Sequence, residues 1–262
     1  MNRNEPDIYA LVGYPLGHSF SRGYFTEKFD REHIDALYIN FEIPDLAALP
    51  VKIAEHPHLR GFNVTIPYKQ AIIPMLDRLD PVAEAIDAVN CVKVTRIEGR
   101  DTPLLTGYNT DAPGFTRALE PALRPDIRRA LVLGSGGASR AVVYALRQSG
   151  IDPTLVSRTS KQSYIPSITY ADITPAVMAD NLLIVNTTPL GMSPDVDSCP
   201  DIPYHLLTPR HLCFDLVYNP DPTLFLKHAR ENGADIVPHG GFMMLTSQAD
   251  DAWRIWTSDT II

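Results

Sequence analysis

The stretch ALVLGSGGASRAVVYALRQSG, residues 130–150, constrains the fold more than any other part of the chain. A short apolar run ends at Gly134. Ala138, Ala141, Val142, Ala145 and Leu146 then recur at helical spacing, and Gly150 stands where a helix would stop. The strand-like run TLVSR follows at 154–158. Strand, glycine-rich turn, helix and second strand in that order make a βαβ unit, since parallel neighbours need a crossover. Gly134 allows the tight turn, and Gly136 and Gly137 let backbone N–H groups approach a pyrophosphate at the positive end of the helix. Ser139 takes the place of the third glycine of the usual pattern, which a small residue can fill. The context points to a dinucleotide.

The residues closing the second strand select the dinucleotide. A site for NAD places Asp or Glu there to hold the ribose 2′-hydroxyl. Here the sequence is Ser157-Arg158-Thr159, with Lys161 close behind. A planar guanidinium and hydroxyls suit a 2′-phosphate, and there is no carboxylate to repel it. The expected cofactor is NADP(H).

The same β-α order continues through LLIVNTT (182–188), CFDLVY (213–218), a helix near 222–232 stopped by Gly233, and ADIVP (234–238). It describes a doubly wound parallel sheet. The first hundred residues alternate strands and helices differently. Strands are expected at 7–13, 35–43, 59–65 and 89–95, with a hairpin through Glu98–Asp101 to a strand near 103–107. Helices are expected at 21–32, near 45–56, across about 69–79, and at 82–87. The fold class is α/β: an N-terminal α/β domain with a mixed sheet, then a Rossmann domain. A last helix at 242–256 exceeds what that sheet needs. Its stripe of Met244, Leu245, Gln248, Ala252 and Trp256 has Gln248 as the one polar member. A glutamine on such a face either reaches a ligand or bonds to neighbouring backbone.

In GFNVTIPYK, residues 61–69, strand alternation puts Asn63, Thr65 and Lys69 on one face and Val64, Ile66 and Tyr68 on the other. An amide, a hydroxyl and an amine converging at the end of a strand suit a small polyhydroxylated ligand. A polar edge strand explains the pattern equally well.

A net charge of −8 with no basic run argues against a nucleic-acid surface. No apolar run approaches the roughly 18 residues needed to span a bilayer. Cys91, Cys199 and Cys213 are odd in number and widely spaced, which reads as a reduced, cytoplasmic setting. No cysteine or histidine has metal-ligand company, so no metal is expected.

Nine motifs in order make the chain resemble the shikimate dehydrogenase family along nearly its whole length. They are GYPLGHSFS (13–21), GFNVTIPYK (61–69), AVN (88–90), GYNTD (107–111), GSGGASR (134–140), SRT (157–159), NTTPLGM (186–192), DLVYNP (215–220) and GFMMLTSQA (241–249). The resemblance implies reversible, NADPH-dependent reduction of 3-dehydroshikimate to shikimate, in chorismate and aromatic amino acid biosynthesis. It implies Lys69 and Asp111 as the catalytic pair. Ser19 and Ser21 would take the substrate carboxylate, and Asn63, Thr65, Asn90, Asp111, Tyr218 and Gln248 the rest of the substrate. Gly134, Ser135, Gly136, Gly137, Ala138, Ser139, Ser157, Arg158, Thr159, Thr187 and Gly241 fall at cofactor-contacting positions. It further implies a substrate domain of residues 1–110 with 241–262, a cofactor domain of 111–240, a small-molecule substrate as partner, and a monomer or homodimer. The chain departs from the family pattern at Arg22-Gly23, Ser157, Gln162 and Gly240. A quinate/shikimate dehydrogenase of dual specificity and a catalytically silent NADP-binding regulator are the competing readings.

Overall fold

The computed structural model describes residues 5–17, 20–159 and 164–258. The chain forms two compact units, Met1–Thr110 with Ala249–Ile262, and Asp111–Gln248.

In the first unit the elements are β1 (Asp7–Gly13), α1 (Phe20–Glu32), β2 (Ala36–Glu42), α2 (Leu49–Glu55), β3 (Leu59–Val64), β4 (Arg78–Leu79), α3 (Pro81–Ile86), β5 (Cys91–Thr95) and β6 (Leu104–Tyr108). They build one sheet in the order β2-β1-β3-β5-β6-β4. β2, β1 and β3 pair in parallel and β5 pairs antiparallel with both β3 and β6, so the sheet is mixed. Strand alternation divides the core between its two faces. Ala10, Val12, Phe62 and Val64 pack on one face with Leu49 and Ile53 of α2. Tyr9, Leu11 and Tyr38 pack on the other with Phe25, Phe29 and Trp256. On that second face Phe25 stacks on Tyr38 (4.7 Å between centroids, 11° between planes) and Tyr9 stacks on Trp256 at 4.9 Å. The Trp256 indole N–H donates to the Val92 carbonyl at 3.0 Å, so its burial leaves no unmet donor.

The helix expected across 69–79 does not form. Pro74 lacks the N–H that a helix would use, and only a single 3₁₀ turn, Ile73–Met75, appears. Arg78–Leu79 instead run parallel to Thr106–Gly107. The Asp77 carboxylate ties this segment down, accepting from the Leu105 N–H (2.8 Å) and from Arg100 (2.6 Å). The short helix that follows is real. The Asp80 carboxylate caps it by accepting from Val82 and Ala83, and Pro81 starts it.

The second unit carries α4 (Asp111–Leu119), β7 (Arg129–Leu133), α5 (Gly137–Gln148), β8 (Asp152–Ser157), β9 (Ser167–Thr169), α6 (Pro175–Asp180), β10 (Leu183–Asn186), β11 (Leu212–Asp215), α7 (Leu224–Glu231), β12 (Asp235–Ile236) and the start of α8 (Gly240–Thr257). Its sheet is parallel throughout, in the order β12-β11-β10-β7-β8-β9. Gly150 and Gly233, with φ of +73° and +89°, end α5 and α7 as their positions in the sequence require. The strand over 213–218 stops at Asp215, whose side chain accepts the Val217 N–H and so turns the backbone out of the ladder. α8 continues past Gln248 into the first unit, so by compactness residues 241–248 group with the second unit. Among the described residues no helix is long and apolar enough to cross a membrane.

Candidate active site

In the first unit, the polar residues singled out from the sequence gather at the ends of β3 and β6. Asn63, 5% exposed, points to the same face as Tyr38. Its amide is held at both ends. The Tyr38 hydroxyl donates to Oδ1 at 2.8 Å, and Nδ2 donates to the Asn90 carbonyl at 3.2 Å. The Asn90 side chain is oriented in turn by Thr110, whose backbone N–H donates to Oδ1 at 2.7 Å; Asn90 Nδ2 donates to the Thr110 hydroxyl at 3.0 Å. Asn109 donates to the Ala88 carbonyl at 2.9 Å and closes the adjoining loop. The Ser21 hydroxyl, in the first turn of α1, is a further partner of the Tyr38 oxygen. Burial pushes the Tyr38 phenol well above its ordinary pKa, with the Ser21 bond acting the other way, so Tyr38 is a neutral donor. Ser19, together with His18, lies outside the described residues.

The alternation expected across residues 61–69 breaks after Val64. β3 ends there, and Tyr68 N–H closes a turn onto the Thr65 carbonyl at 2.9 Å. Pro67 cannot donate to a ladder, so the chain leaves the sheet. Ile66 is consequently 68% exposed instead of core-facing, whereas Val64 and Tyr68 are buried and the Tyr68 hydroxyl donates to the Ile43 carbonyl at 2.7 Å. Thr65 and Lys69 are half-buried on this turn, placed by turn geometry and not by strand period.

In the second unit, Asp111 is the first residue of α4 and is buried. The glycine turn between β7 and α5 has the form its sequence requires. Gly134 adopts a φ of +105°, open to glycine at no steric cost, and a Cβ there would press on Thr187 and Thr188. Gly136 caps α5, and a Cβ on it would meet no atom within 4 Å. Packing within the protein therefore does not demand glycine at 136. The open space beside the N-cap fits a phosphate group approaching the backbone N–H groups. Ser135 is exposed, and Gly134, Gly137 and Ala138 are half-buried. Ser139 is fully buried, and its hydroxyl donates to the Gly136 carbonyl at 2.7 Å, bracing the turn from inside. Arg158 and Thr159 are exposed just beyond β8, and the Ser157 hydroxyl donates to the Thr159 carbonyl at 2.8 Å. No carboxylate stands at 157–159, so these residues fit the 2′-phosphate of NADP(H). Lys161 and Gln162 lie outside the described residues.

A buried polar cluster behind this turn has no counterpart among the residues expected from the sequence. Asp215, 1% exposed, accepts from Asn186 Nδ2 (2.9 Å), from the Thr223 hydroxyl (2.6 Å) and from the Val217 N–H (2.9 Å). Asn186 Oδ1 accepts from the backbone and the hydroxyl of Thr188, at 3.0 and 2.7 Å. One carboxylate thereby holds the loop with Thr187 and the segment with Tyr218. Burial raises the Asp215 pKa from 3.8 to about 7; the bonds from Thr223, Val217 and Asn186 oppose that rise, and Asp221 adds to it. A carboxylate closing an otherwise apolar strand was the available signal in the sequence. Thr187 donates to the Leu133 carbonyl through its backbone N–H and its hydroxyl, at 2.9 and 2.7 Å. Tyr218 is half-buried, with burial raising its phenol pKa, so it too is a neutral donor. Gly241 is buried, and a Cβ there would sit 2.7–2.8 Å from the carbonyls of Asp215, Leu216 and Val217, which explains glycine at the start of α8 by packing. Gln248 is buried and its Nε2 donates to the Leu245 carbonyl at 3.0 Å.

Residues 11–92 match the shikimate dehydrogenase substrate binding domain. A shikimate dehydrogenase (NADP(+)) of Desulforamulus reducens is 35% identical to this chain, over 97% of it and 90% of the relative. The crystal structure of shikimate 5-dehydrogenase from Thermus thermophilus in complex with NADP(H) and shikimate has a TM-score of 0.80 at 34% identity, covering 96% of this chain and 93% of that one. Quinate dehydrogenase from Corynebacterium glutamicum in complex with NAD has a TM-score of 0.82 at 27% identity, covering 97% and 94%. Identity at this level, running end to end through both units, leaves one conclusion: the chain belongs to the shikimate dehydrogenase family.

Proposed function

We propose that this protein catalyses the reversible, NADPH-dependent reduction of 3-dehydroshikimate to shikimate, a step of chorismate and aromatic amino acid biosynthesis. The observation that carries the reading is the near full-length relatedness to a shikimate dehydrogenase (NADP(+)) in a chain that keeps both the open glycine turn at Gly136 and Arg158 without a neighbouring carboxylate. In this reading residues 1–110 with the end of the chain hold the substrate, and the parallel-sheet unit holds the cofactor. NADPH, when bound, supplies the hydride that the ring carbonyl carbon accepts. The chain's own task is then to orient the ring and to deliver a proton to the oxygen where negative charge develops.

Lys69 is the residue for that proton, since its ammonium can both donate and stabilise the developing alkoxide, and Asp111 is the second member of the catalytic pair that the family resemblance implies. Asn63 and Asn90, locked by the bonds described above, position ring hydroxyls together with Thr65, Tyr218 and Gln248. Ser21, with Ser19, receives the substrate carboxylate. Gly134–Ser139, Ser157–Thr159, Thr187 and Gly241 belong to the cofactor side. The three cysteines, all free thiols, support a cytoplasmic setting, and a monomer or homodimer is the expected state.

The decisive experiment follows the nicotinamide absorbance of the purified protein with shikimate and with quinate, each against NADP and NAD. The reading expects turnover with shikimate and NADP above every other pair. Preferred turnover of quinate with NAD would reassign the protein to its quinate-active relatives. No absorbance change with any pair would leave a cofactor-binding regulator.

A further inference from the structure

We propose that Tyr38 is a positioning residue that, together with the Asn90 carbonyl, holds the Asn63 amide in one orientation, making Asn63 a hydrogen-bond donor to a hydroxyl of the bound substrate. The proposal rests on the shikimate reading for the identity of the ligand, and on the geometry of the first unit for the rest.

An asparagine amide can present either its oxygen or its nitrogen, and its partners decide which. One partner of Asn63 leaves no choice: the Asn90 backbone carbonyl only accepts, so the atom 3.2 Å from it is Nδ2. Oδ1 then faces Tyr38 at 2.8 Å, and Tyr38 must be the donor. Burial holds the phenol in its neutral, donating form. Its ring cannot drift, because it lies stacked on Phe25 at 4.7 Å. The sheet register explains the reach. Tyr9 pairs with Tyr38 on β2 and Leu11 pairs with Asn63 on β3, so the Tyr38 side chain spans β1 diagonally. With Oδ1 and one N–H so engaged, the second N–H of Asn63 has no partner among the described residues. Asn63 therefore offers a donor, and the group it recognises on the ligand is an acceptor lone pair of a hydroxyl.

Removing the Tyr38 hydroxyl leaves Oδ1 without its donor and the amide held only by its bond to the Asn90 carbonyl. We expect Tyr38→Phe to raise the Kd for shikimate, measured by calorimetry without cofactor, about tenfold or more, with the Kd for NADP within about twofold of wild type. In an Asn63→Ala background the same substitution should change shikimate affinity less than twofold, an absence of further effect that a purely structural role would not produce. A wild-type protein that fails to bind shikimate at all would refute the functional reading. Wild-type binding with a Tyr38→Phe affinity within twofold, or a Tyr38→Phe effect that persists in full without Asn63, would overturn the positioning role. Side-chain amide resonances of the wild-type protein give a reading that needs no substitution. Shikimate should shift one Asn63 amide proton strongly and leave its partner, bonded to Asn90, protected from exchange. Equal shifts or equal exchange of the two would also overturn it.

Discussion

Asp215→Asn is the substitution whose consequence follows most directly from the structure. The side chain is 1% exposed, and burial lifts its carboxyl from 3.8 to about 7 in the folded protein. A raised carboxyl pKa means the folded state holds its proton more tightly than the unfolded one. Between those two values the folded state binds more protons, so stability falls as pH rises through the window. At about 1.4 kcal/mol for each unit of pKa difference, the full window is worth about 4 kcal/mol, and the part between about pH 5 and pH 8 is worth about 2.5 kcal/mol. Asparagine keeps an acceptor for the Val217 N–H and for Asn186 but cannot ionise. It also loses the acceptor for the Thr223 hydroxyl, which lowers stability by a pH-independent amount. The readout is therefore the slope and not the offset. Urea unfolding of wild type and Asp215→Asn across pH 5 to 8 should show the difference between them moving by about 2.5 kcal/mol in favour of the variant as pH rises. Parallel profiles would refute the reasoning: the three donors would then outweigh desolvation and keep Asp215 ionised throughout.

Lys69→Ala should lower kcat about 10²–10⁴-fold while the Kd for shikimate rises far less, since a proton-transfer group acts mainly in the transition state; steady-state kinetics with calorimetry separates the two. Arg158→Ala should weaken NADP about tenfold or more and leave NAD within about twofold, because in the proposed reading the guanidinium serves the 2′-phosphate that NAD lacks; fluorescence titration of both cofactors tests this. Gly61→Ala should destabilise the protein by about 2–3 kcal/mol in urea unfolding, because the added Cβ would overlap the Trp256 indole, which is pinned by its bond to Val92.

Residues 61–69 show where pattern reasoning stops. Period-two alternation read correctly through Val64, where ladder hydrogen bonds enforce it. Beyond that point the chain is a turn, and Ile66 faces solvent although its place in the alternation predicts core. The helical pattern at 69–79 misled for a similar reason. Apolar spacing at Ile72, Ile73, Leu76 and Leu79 is compatible with a helix, but Pro74 removes a donor and the Asp77 carboxylate offers the backbone a non-helical partner. Of the candidate site, the form of the glycine turn at Gly134 and Gly136 was legible because neighbouring residues set it. Tyr38 and Asp215 were not, because what they do depends on partners 25 residues away for Tyr38 and 29 and 8 away for Asp215.

The sequence by itself determined the α/β class, the βαβ unit around 130–158 and the preference for NADP(H), since strand period, helix period and glycine conformation are properties of a few neighbouring residues. Only the tertiary structure decided which atom of Asn63 faces outward, and that a single buried carboxylate holds the loops of Thr187 and Tyr218. Hydrogen-bond polarity and desolvation are set by whatever the fold brings within about 3 Å, which sequence separation does not encode.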